Sequence, residues 1–497
     1  MGRKETYLSD LGLAPLHGSD RPISGIFSDS RSVIKRGLFA ALPGTQVHGG
    51  NFIPQALKNG AHCILTDRVG YDMARAELMS HDAAVVVAQD PRAALASAAA
   101  LWFAAQPDTV VAVTGTNGKT SVASFCQQIW AEMDLTAVNI GTTGVQGAWT
   151  APLAHTTPDP ITLHKILAGA TKAGVTHAAM EASSHGLDQR RLDGVRLKAA
   201  GFTNISQDHL DYHDDFTAYL EAKAGLFDRL LPQDCTAVIN IDTPEGHMLS
   251  DRLKTRDQQV IAVGRSEQAD LRLLAQRFSP TGQDVRYQWR GASLQVHLPL
   301  IGGFQAENAL LAAGLVVAAG HDPNEVFDTL PHLETVRGRM EFAAERRNGA
   351  SVFVDYAHTP DAVKTALEAF RPHVMGRLVA IVGAGGDRDR TKRSQMGALA
   401  AKAADIVIVT DDNPRNEDPA EIRRMVLAGA ENADHVSEVG DRAEAILRAV
   451  DMLGPGDGLL ITGKGHETGQ VIGQDILPFN DTEQASVAVA ALDGIIS

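Results

Sequence analysis

The sequence predicts an α/β protein of three domains built on parallel sheets. Three observations carry the prediction. The chain has 497 residues, which at about 150 residues per domain is roughly three domains. Short apolar runs alternate with helical patterns, most regularly beyond residue 334, the mark of βαβ units. One apolar run, DTVVAVTGTNGKTS, passes through a glycine-rich turn straight into a helical stretch.

The elements follow in three blocks. Residues 1–108 hold the strand-like runs SGIFSDS, LFAALPG, CILTD and AAVVVAQ, then an apolar stretch near Ala93–Ala105 that reads as a buried helix. Residues 109–333 open with the glycine-rich turn and continue with the strands HAAMEAS, KAAGFTNI, CTAVINID and QVIAVG. Residues 334–497 alternate SVFVDYAH, PDAVKTALEAF, RLVAIVGAGG, a helix around Met396–Ala404, DIVIVTDD, DPAEIRRMVLAGA, DRAEAILRAV and GLLITGKG. Thr359 before Pro360, Asp418 before Pro419, and Asp441 three residues ahead of Glu444 are helix-start signals. In such sheets ligands sit at the carboxyl ends of the strands, so the loops after strands are where function is expected.

Composition excludes several classes. With 45 basic against 60 acidic residues and a formal net charge of −15, the chain lacks the basic balance of a nucleic-acid binder. Three cysteines, Cys63, Cys126 and Cys235, with no CxxC spacing disfavour a disulfide framework or zinc ribbon and fit a reducing, cytoplasmic compartment. The longest apolar stretch is too short to span a bilayer, so no membrane insertion is expected.

The turn Thr114-Gly115-Thr116-Asn117-Gly118-Lys119-Thr120 lies between strand and helix. Backbone N–H groups there can surround phosphate oxygens, Lys119 can reach the β- and γ-phosphates, and the Thr120 hydroxyl can ligate Mg²⁺. Val113 stands where a strict Walker pattern has glycine. Glu181, in EASSH, and His209, in ISQDH, end two apolar strands. Both could face one crevice, where a carboxylate suits Mg²⁺ and an imidazole suits it less; each alone also reads as an ordinary capping or core-edge residue. Lys223, in EAKAGLF, reads from its neighbours as a solvated helix lysine.

Together, TGTNGKT, EASSHGLDQRRL, NISQDHLDYH, EAKAGLF, FQAENALLAA, VRGRME and DYAHTPD resemble the Mur ligase family, the ATP-dependent amide-forming enzymes of peptidoglycan synthesis. DSRSVIKRGLFAALPG, GGDRD, DDNPRNEDP and GKGHE resemble the branch that adds meso-2,6-diaminopimelate to UDP-N-acetylmuramoyl-L-alanyl-D-glutamate. The resemblance implies an N-terminal α/β domain for the UDP moiety, a central P-loop ATPase domain with a parallel sheet, and a C-terminal Rossmann-like domain for the incoming amino acid. It implies ATP and Mg²⁺ as cofactors, a cytoplasmic place in wall, shape and division, and small-molecule partners; a monomer is the expectation. Lys119, Glu181, His209 and Lys223 would be catalytic, with Thr120, Glu181, His209 and a carbamylated Lys223 holding metal. A carbamate makes a lysine anionic and able to hold a cation.

The same resemblance places Asn308 on the adenine, Arg339 near the nucleotide phosphates and Asp355 at the junction of the last two domains. Ser28, Ser30, Thr45, Gln46, Val47, His155, Thr156, Thr157, Ser183, Gln189 and Arg191 would hold the UDP substrate, with His155 standing where the family has Asn. Arg388, Asp412, Asn413, Pro414, Arg415, Gly463 and Glu467 would hold the diamino acid. By the residues alone, DNPR also reads as a turn with Arg415 solvated. A lysine-adding ligase, folylpolyglutamate synthase and a nucleotide-driven switch share parts of these motifs. DNPR disfavours the first, and the DSR and TTPDP segments the second. Protection of an acyl phosphate from water implies that the C-terminal domain closes over the site.

Overall fold

The computed structural model describes residues 5–44, 47–206, 212–213, 215–430 and 435–494. Contacts divide the chain into two units, Met1–Ala262 with Leu311–Pro323, and Val263–Leu310 with Asn324–Ser497. The first unit begins with a parallel sheet in chain order: Gly25–Phe27, Gly37–Ala41, Ala61–Thr66 and Ala84–Val87. Side chains alternate between its faces. Leu38, Ala40, Cys63 and Leu65 pack with Leu95 and Ala98 of the helix Pro91–Phe103. Phe39, Ala41 and Ile64 pack with Ile53, Ala56 and Leu78 on the other face. The helix starts where Asp90 accepts the Ala93 N–H at 3.0 Å. The buried helix expected here is buried on one face, through Leu95, Ala96, Ala98 and Ala99, and exposed on the other, where Leu101 is 53% exposed.

A second parallel sheet in this unit runs Thr236–Asn240, Ala199–Phe202, Thr109–Thr114, His177–Glu181, Ala137–Gly141. Gly144–Gly147 closes it antiparallel. The strand feeding the glycine-rich turn is interior, flanked in register by Glu181 opposite Val113 and Phe202 opposite Thr114. The turn is thereby set between the loops that follow His177–Glu181 and Ala199–Phe202.

In the second unit, Leu271–Ser279, Gly282–Trp289 and Ala292–Leu298 form an antiparallel meander. Beyond it stands a six-stranded sheet in the order Glu341–Glu345, Ser351–Asp355, Gly458–Thr462, Leu378–Ala384, Ile406–Asp411, Val436–Glu438, antiparallel only at its first edge. Every residue of Leu378–Ala384 is buried, as a parallel strand covered on both faces requires. Pro360–Phe370, Thr391–Ala403 and Pro419–Leu427 cover one face, and Arg442–Asp451 and Asp481–Leu492 the other. The three start signals hold: Thr359 accepts the Ala362 N–H at 3.4 Å, Asp418 that of Ala420 at 3.0 Å, and Asp441 that of Glu444 at 2.8 Å. The helix expected around Met396 begins earlier, at Thr391, where the Asp389 carboxylate accepts the Thr391 N–H at 2.8 Å.

All three cysteines are free thiols, and burial pushes Cys63 up to about 12, which leaves it unreactive at neutral pH. Among the described residues, no helix is long and apolar enough to cross a membrane.

Candidate active site

The glycine-rich turn is a preformed cradle. Gly118 has a φ of 87° and Gly115 a φ of 145°. A Cβ on Gly115 would stand 1.9 Å from Thr203 Oγ1, so only glycine fits. Thr203 donates its hydroxyl to Asn117 O at 2.6 Å. Asn204 accepts the Asn117 N–H through Oδ1 at 3.0 Å and the Thr116 N–H through its carbonyl at 2.9 Å. Lys119 opens the helix Lys119–Glu132 and folds back, its Nζ donating to Gly115 O at 3.0 Å and Thr116 O at 2.8 Å. An ammonium and a helix N-terminus thus converge on one turn, an arrangement suited to anionic oxygens. Val113 is buried in the strand; its departure from the Walker pattern lies outside the turn itself. Thr203 and Asn204 were not singled out in the sequence, although both sit at the carboxyl end of the adjacent strand.

Glu181 is 2% exposed. Its Oε1 accepts the Thr142 N–H at 2.8 Å and its Oε2 the Thr142 hydroxyl at 3.3 Å. A Cβ on Gly141 would come 2.1 Å from Oε1, which is why a glycine precedes Thr142's turn. Thr156 Oγ1 lies 3.0 Å from Thr142 Oγ1. Thr157 donates to Glu181 O at 2.9 Å and accepts the Ser183 N–H at 3.0 Å, and Ser183 caps the turn that follows. Arg191 donates to Thr157 O at 2.7 Å and to Gln189 Oε1 at 2.8 Å. Gln189 donates to the Tyr212 hydroxyl at 3.0 Å, and that hydroxyl donates to Asp188 at 2.6 Å. The structure therefore gathers Thr156, Thr157, Ser183, Gln189 and Arg191 around Glu181, and adds Thr142 and Tyr212. Burial lowers the Arg191 pKa. His155 is exposed just before this cluster. Ser28 follows the first strand exposed, Ser30 is buried in the turn capped by Asp29, and Val47 is exposed. Thr45, Gln46 and His209 lie outside the described residues.

Lys223 corrects the reading from its neighbours. It is 1% exposed, not solvated. Its Nζ donates to Gly115 O at 2.7 Å and stands 4.4 Å from the Tyr219 ring centroid. The helix Phe216–Gly225 carries both residues, and the Tyr219 hydroxyl lies 3.1 Å from Thr116 Oγ1. The lysine is thus bonded to the glycine-rich turn.

The donor set around the cradle suits Mg²⁺. Thr120 and Glu181 offer hard oxygens, and Thr114 Oγ1 is buried without a partner at the end of the feeding strand. No group of three or more His, Cys, Asp or Glu gathers among the described residues. Magnesium commonly takes one or two carboxylates and completes its shell with water and substrate phosphates.

In the second unit, GGDRD, DNPR and GKGHE follow three adjacent strands, Leu378–Ala384, Ile406–Asp411 and Gly458–Thr462. Gly386 donates its N–H to Asn413 O at 2.9 Å, and a Cβ there would meet the buried Pro414's O at 1.9 Å. Arg415 donates to Gly386 O at 2.8 Å and is half-buried, which corrects the solvated reading. A Cβ on Gly385 would find Arg415 Nη1 at 2.9 Å and Arg388 Cγ at 3.9 Å, so both arginines border that glycine; Arg388 is exposed. Asp412 lies buried against Gly463, whose φ is 112°. Asn413 donates to Glu467 Oε2 at 2.8 Å and accepts Lys464 Nζ at 3.0 Å. Lys464 is fully buried and pairs with Glu467 at 3.1 Å. Lys464 carried no distinguishing signal in the sequence, because Asn413 lies 51 positions away from it.

Buried ion pairs brace these loops. Arg393 donates to Gly385 O at 3.1 Å and to both Glu417 oxygens, at 2.8 and 3.0 Å. Arg442 and Asp481 are fully buried together, and Arg442 also donates to Thr462 O at 2.9 Å. Nearer the start of the unit, Asn308 is buried on the helix Phe304–Ala318 and donates to Gln305 Oε1 at 3.0 Å. The Arg339 guanidinium lies over the Tyr356 ring at 4.7 Å. Asp355 accepts the N–H groups of Met340 at 2.9 Å and Ala357 at 2.8 Å, and burial raises its carboxyl pKa.

Three family profiles match the chain: the Mur ligase family catalytic domain over residues 22–103, the Mur ligase middle domain over 113–316, and the Mur ligase glutamate ligase domain over 338–465. The chain is 46% identical to the UDP-N-acetylmuramoyl-L-alanyl-D-glutamate–2,6-diaminopimelate ligase of Caulobacter vibrioides, covering 98% of this chain and 99% of that protein. It is 48% identical to the enzyme of the same name from Bradyrhizobium diazoefficiens, over 94% and 95%. A solved structure of a ligase of that name superposes with a TM-score of 0.71 at 31% identity, covering 98% and 99%. Mycobacterium tuberculosis folylpolyglutamate synthase with ADP shares the fold at a TM-score of 0.60 and 22% identity, over 74% of this chain and 91% of that one.

Proposed function

Since the chain belongs to the Mur ligase family and has its three-domain α/β fold, we propose that it joins meso-2,6-diaminopimelate to the D-glutamate of UDP-N-acetylmuramoyl-L-alanyl-D-glutamate at the expense of ATP. The reading places the enzyme in peptidoglycan precursor synthesis in the cytoplasm, working as a monomer. Residues 1–108 hold the UDP moiety, 109–333 ATP, and 334–497 the incoming amino acid.

A carboxylate is a poor electrophile. In the proposed reaction its oxygen takes the γ-phosphoryl group, and ADP leaves. The free amine then attacks the acyl carbon, a C–N bond forms, the C–O bond to phosphate breaks, and a proton leaves the nitrogen. Acceptor and ATP are both anionic, so bringing them together requires cations. The turn Thr114–Thr120 and the Lys119 ammonium hold the β- and γ-phosphates, Asn308 the adenine, and Arg339 the phosphate edge; Asp355 fixes the Met340 and Ala357 turns beside Arg339. Thr120, Glu181 and His209 hold Mg²⁺, with Lys223 contributing as a carbamate. When bound, Mg²⁺ neutralises charge on the transferring phosphoryl oxygens. Positioning and electrostatics carry the rate. Ser28, Ser30, Thr45, Gln46, Val47, His155, Thr156, Thr157, Ser183, Gln189 and Arg191 hold the nucleotide-sugar dipeptide.

One observation carries the choice of amine. Arg415 and the Asn413–Glu467–Lys464 cluster present a held guanidinium and a held carboxylate in one group of loops. The far end of diaminopimelate is a zwitterion and needs both, whereas the far end of lysine has only the ammonium. Arg415 and Arg388 take the distal carboxylate, and Glu467, with the Gly463 carbonyl, takes the ammonium; Asp412, Asn413 and Pro414 shape the loop. Glu467 is already paired with Lys464, so the incoming ammonium shares that carboxylate.

The test is the product mass after incubation with ATP, the UDP-dipeptide and an equal mixture of diaminopimelate and lysine. The expected product is the diaminopimelate adduct, with phosphate released only when acid and amine are both present. Steady ATP turnover with neither present would instead indicate a nucleotide-driven switch.

A further inference from the structure

The loop that carries Arg415 does not stand alone. Arg415 is held at a φ of 51°, a left-handed conformation that a residue with a Cβ adopts only under constraint. The constraint comes from a two-stranded hairpin, Gly469–Ile472 with Asp475–Pro478. The hairpin grips both backbone groups of Arg415: its N–H donates to Val471 O at 3.0 Å, and its carbonyl accepts the Gly473 N–H at 2.7 Å. Two further bonds fix the residues before it. Val471 donates its N–H to Asn413 Oδ1 at 2.9 Å, and Gln470 Nε2 donates to Asp412 O at 2.7 Å. The hairpin's outer side chains Ile472, Ile476 and Leu477 are exposed, so its inner edge against this loop is its anchored side.

We infer that this hairpin is the positioning element that aims Arg415, and that Gln470 is its specificity-determining side chain. The inference rests on the reading of Arg415 as the partner of a distal carboxylate. Of the contacts to the loop, those of Val471 and Gly473 are backbone bonds that most substitutions leave in place. From the hairpin, among the described residues, it is Gln470 that reaches the loop with a side chain, and it binds the carbonyl of the residue preceding Asn413. Loss of that bond frees Asp412–Arg415 to relax from the strained conformation, which moves the guanidinium off its line. Lysine, with no second carboxylate, gains nothing from that aim. Gln470 touches no reacting atom; it is a positioning residue.

The experiment uses the full-length enzyme with Gln470→Ala and the near-isosteric Gln470→Glu, which replaces the donor by an acceptor. Both are offered diaminopimelate and lysine in competition, and KM and kcat are measured separately for diaminopimelate. The expected result in both variants is a fall of about tenfold in the ratio of diaminopimelate to lysine product, arising in the KM for diaminopimelate, with kcat and the KM for ATP held within about twofold. A ratio unchanged within twofold, or an equal loss for both amines, overturns the inference. A wild-type enzyme that makes no diaminopimelate adduct overturns the proposed function itself, a different result from a wild type that does so while both variants keep its selectivity.

Discussion

Arg415 combines a strained backbone with a half-buried guanidinium that donates to the Gly386 carbonyl, and this guanidinium is the group proposed to meet the distal carboxylate. A hydrogen bond to a charged group is worth about 1.5–3 kcal/mol, about 10- to 150-fold in kcat/KM. Arg415→Ala should therefore lower kcat/KM for diaminopimelate by that factor and for lysine by less than about threefold. Steady-state kinetics with each amine alone decides it, and equal losses would remove the role. Lys464 deepens the same picture. The fully buried Lys464 Nζ donates to both Asn413 and Glu467 and holds them in place, so the fork proposed for the amino acid is already assembled.

Among the elements, the ion pair of Arg393 on the helix Thr391–Ala403 with Glu417 ties GGDRD to the segment after DNPR. The Glu417 carboxyl is held down at about 2, chiefly by its bonds to Arg393, against an ordinary value of 4.5. A depressed carboxyl stabilises the fold fully above its unfolded pKa and loses that contribution as pH falls through the folded one. The Tm difference between wild type and Glu417→Gln should therefore be constant above pH about 5 and shrink as pH falls toward about 2; thermal unfolding across that range checks it, and a gap independent of pH would contradict the assignment. Local chemistry made several elements readable in advance. TGTNGKT announces its turn because glycines, a lysine and a threonine must be consecutive to cradle phosphate, and Thr359, Asp418 and Asp441 announce helices because a cap acts within three residues. Lys223 was not readable, since the carbonyl it meets is that of Gly115, 108 positions away. The hairpin Gly469–Pro478 and the meander Leu271–Leu298 escaped for a related reason: antiparallel strands break the β–α alternation by which the other strands were recognised.

On the scale of the whole molecule, the chain carries a net charge of −15, and the sites proposed for its anionic substrates are set in loops that carry cations: Lys119 at the glycine-rich turn, Arg191 near Glu181, Arg388 and Arg415 beyond the six-stranded sheet. Each of these loops follows the carboxyl end of a parallel strand or the helix next to one, where α/β sheets place their ligands. In the proposed reaction ATP activates a carboxylate rather than driving a conformational cycle. The most direct measurement labels the D-glutamate carboxylate of the UDP-dipeptide with ¹⁸O and follows the released phosphate by mass spectrometry in the presence of ATP and diaminopimelate. Activation through an acyl phosphate predicts one ¹⁸O atom in each phosphate released, in step with amide formation; phosphate free of label alongside that amide would contradict it.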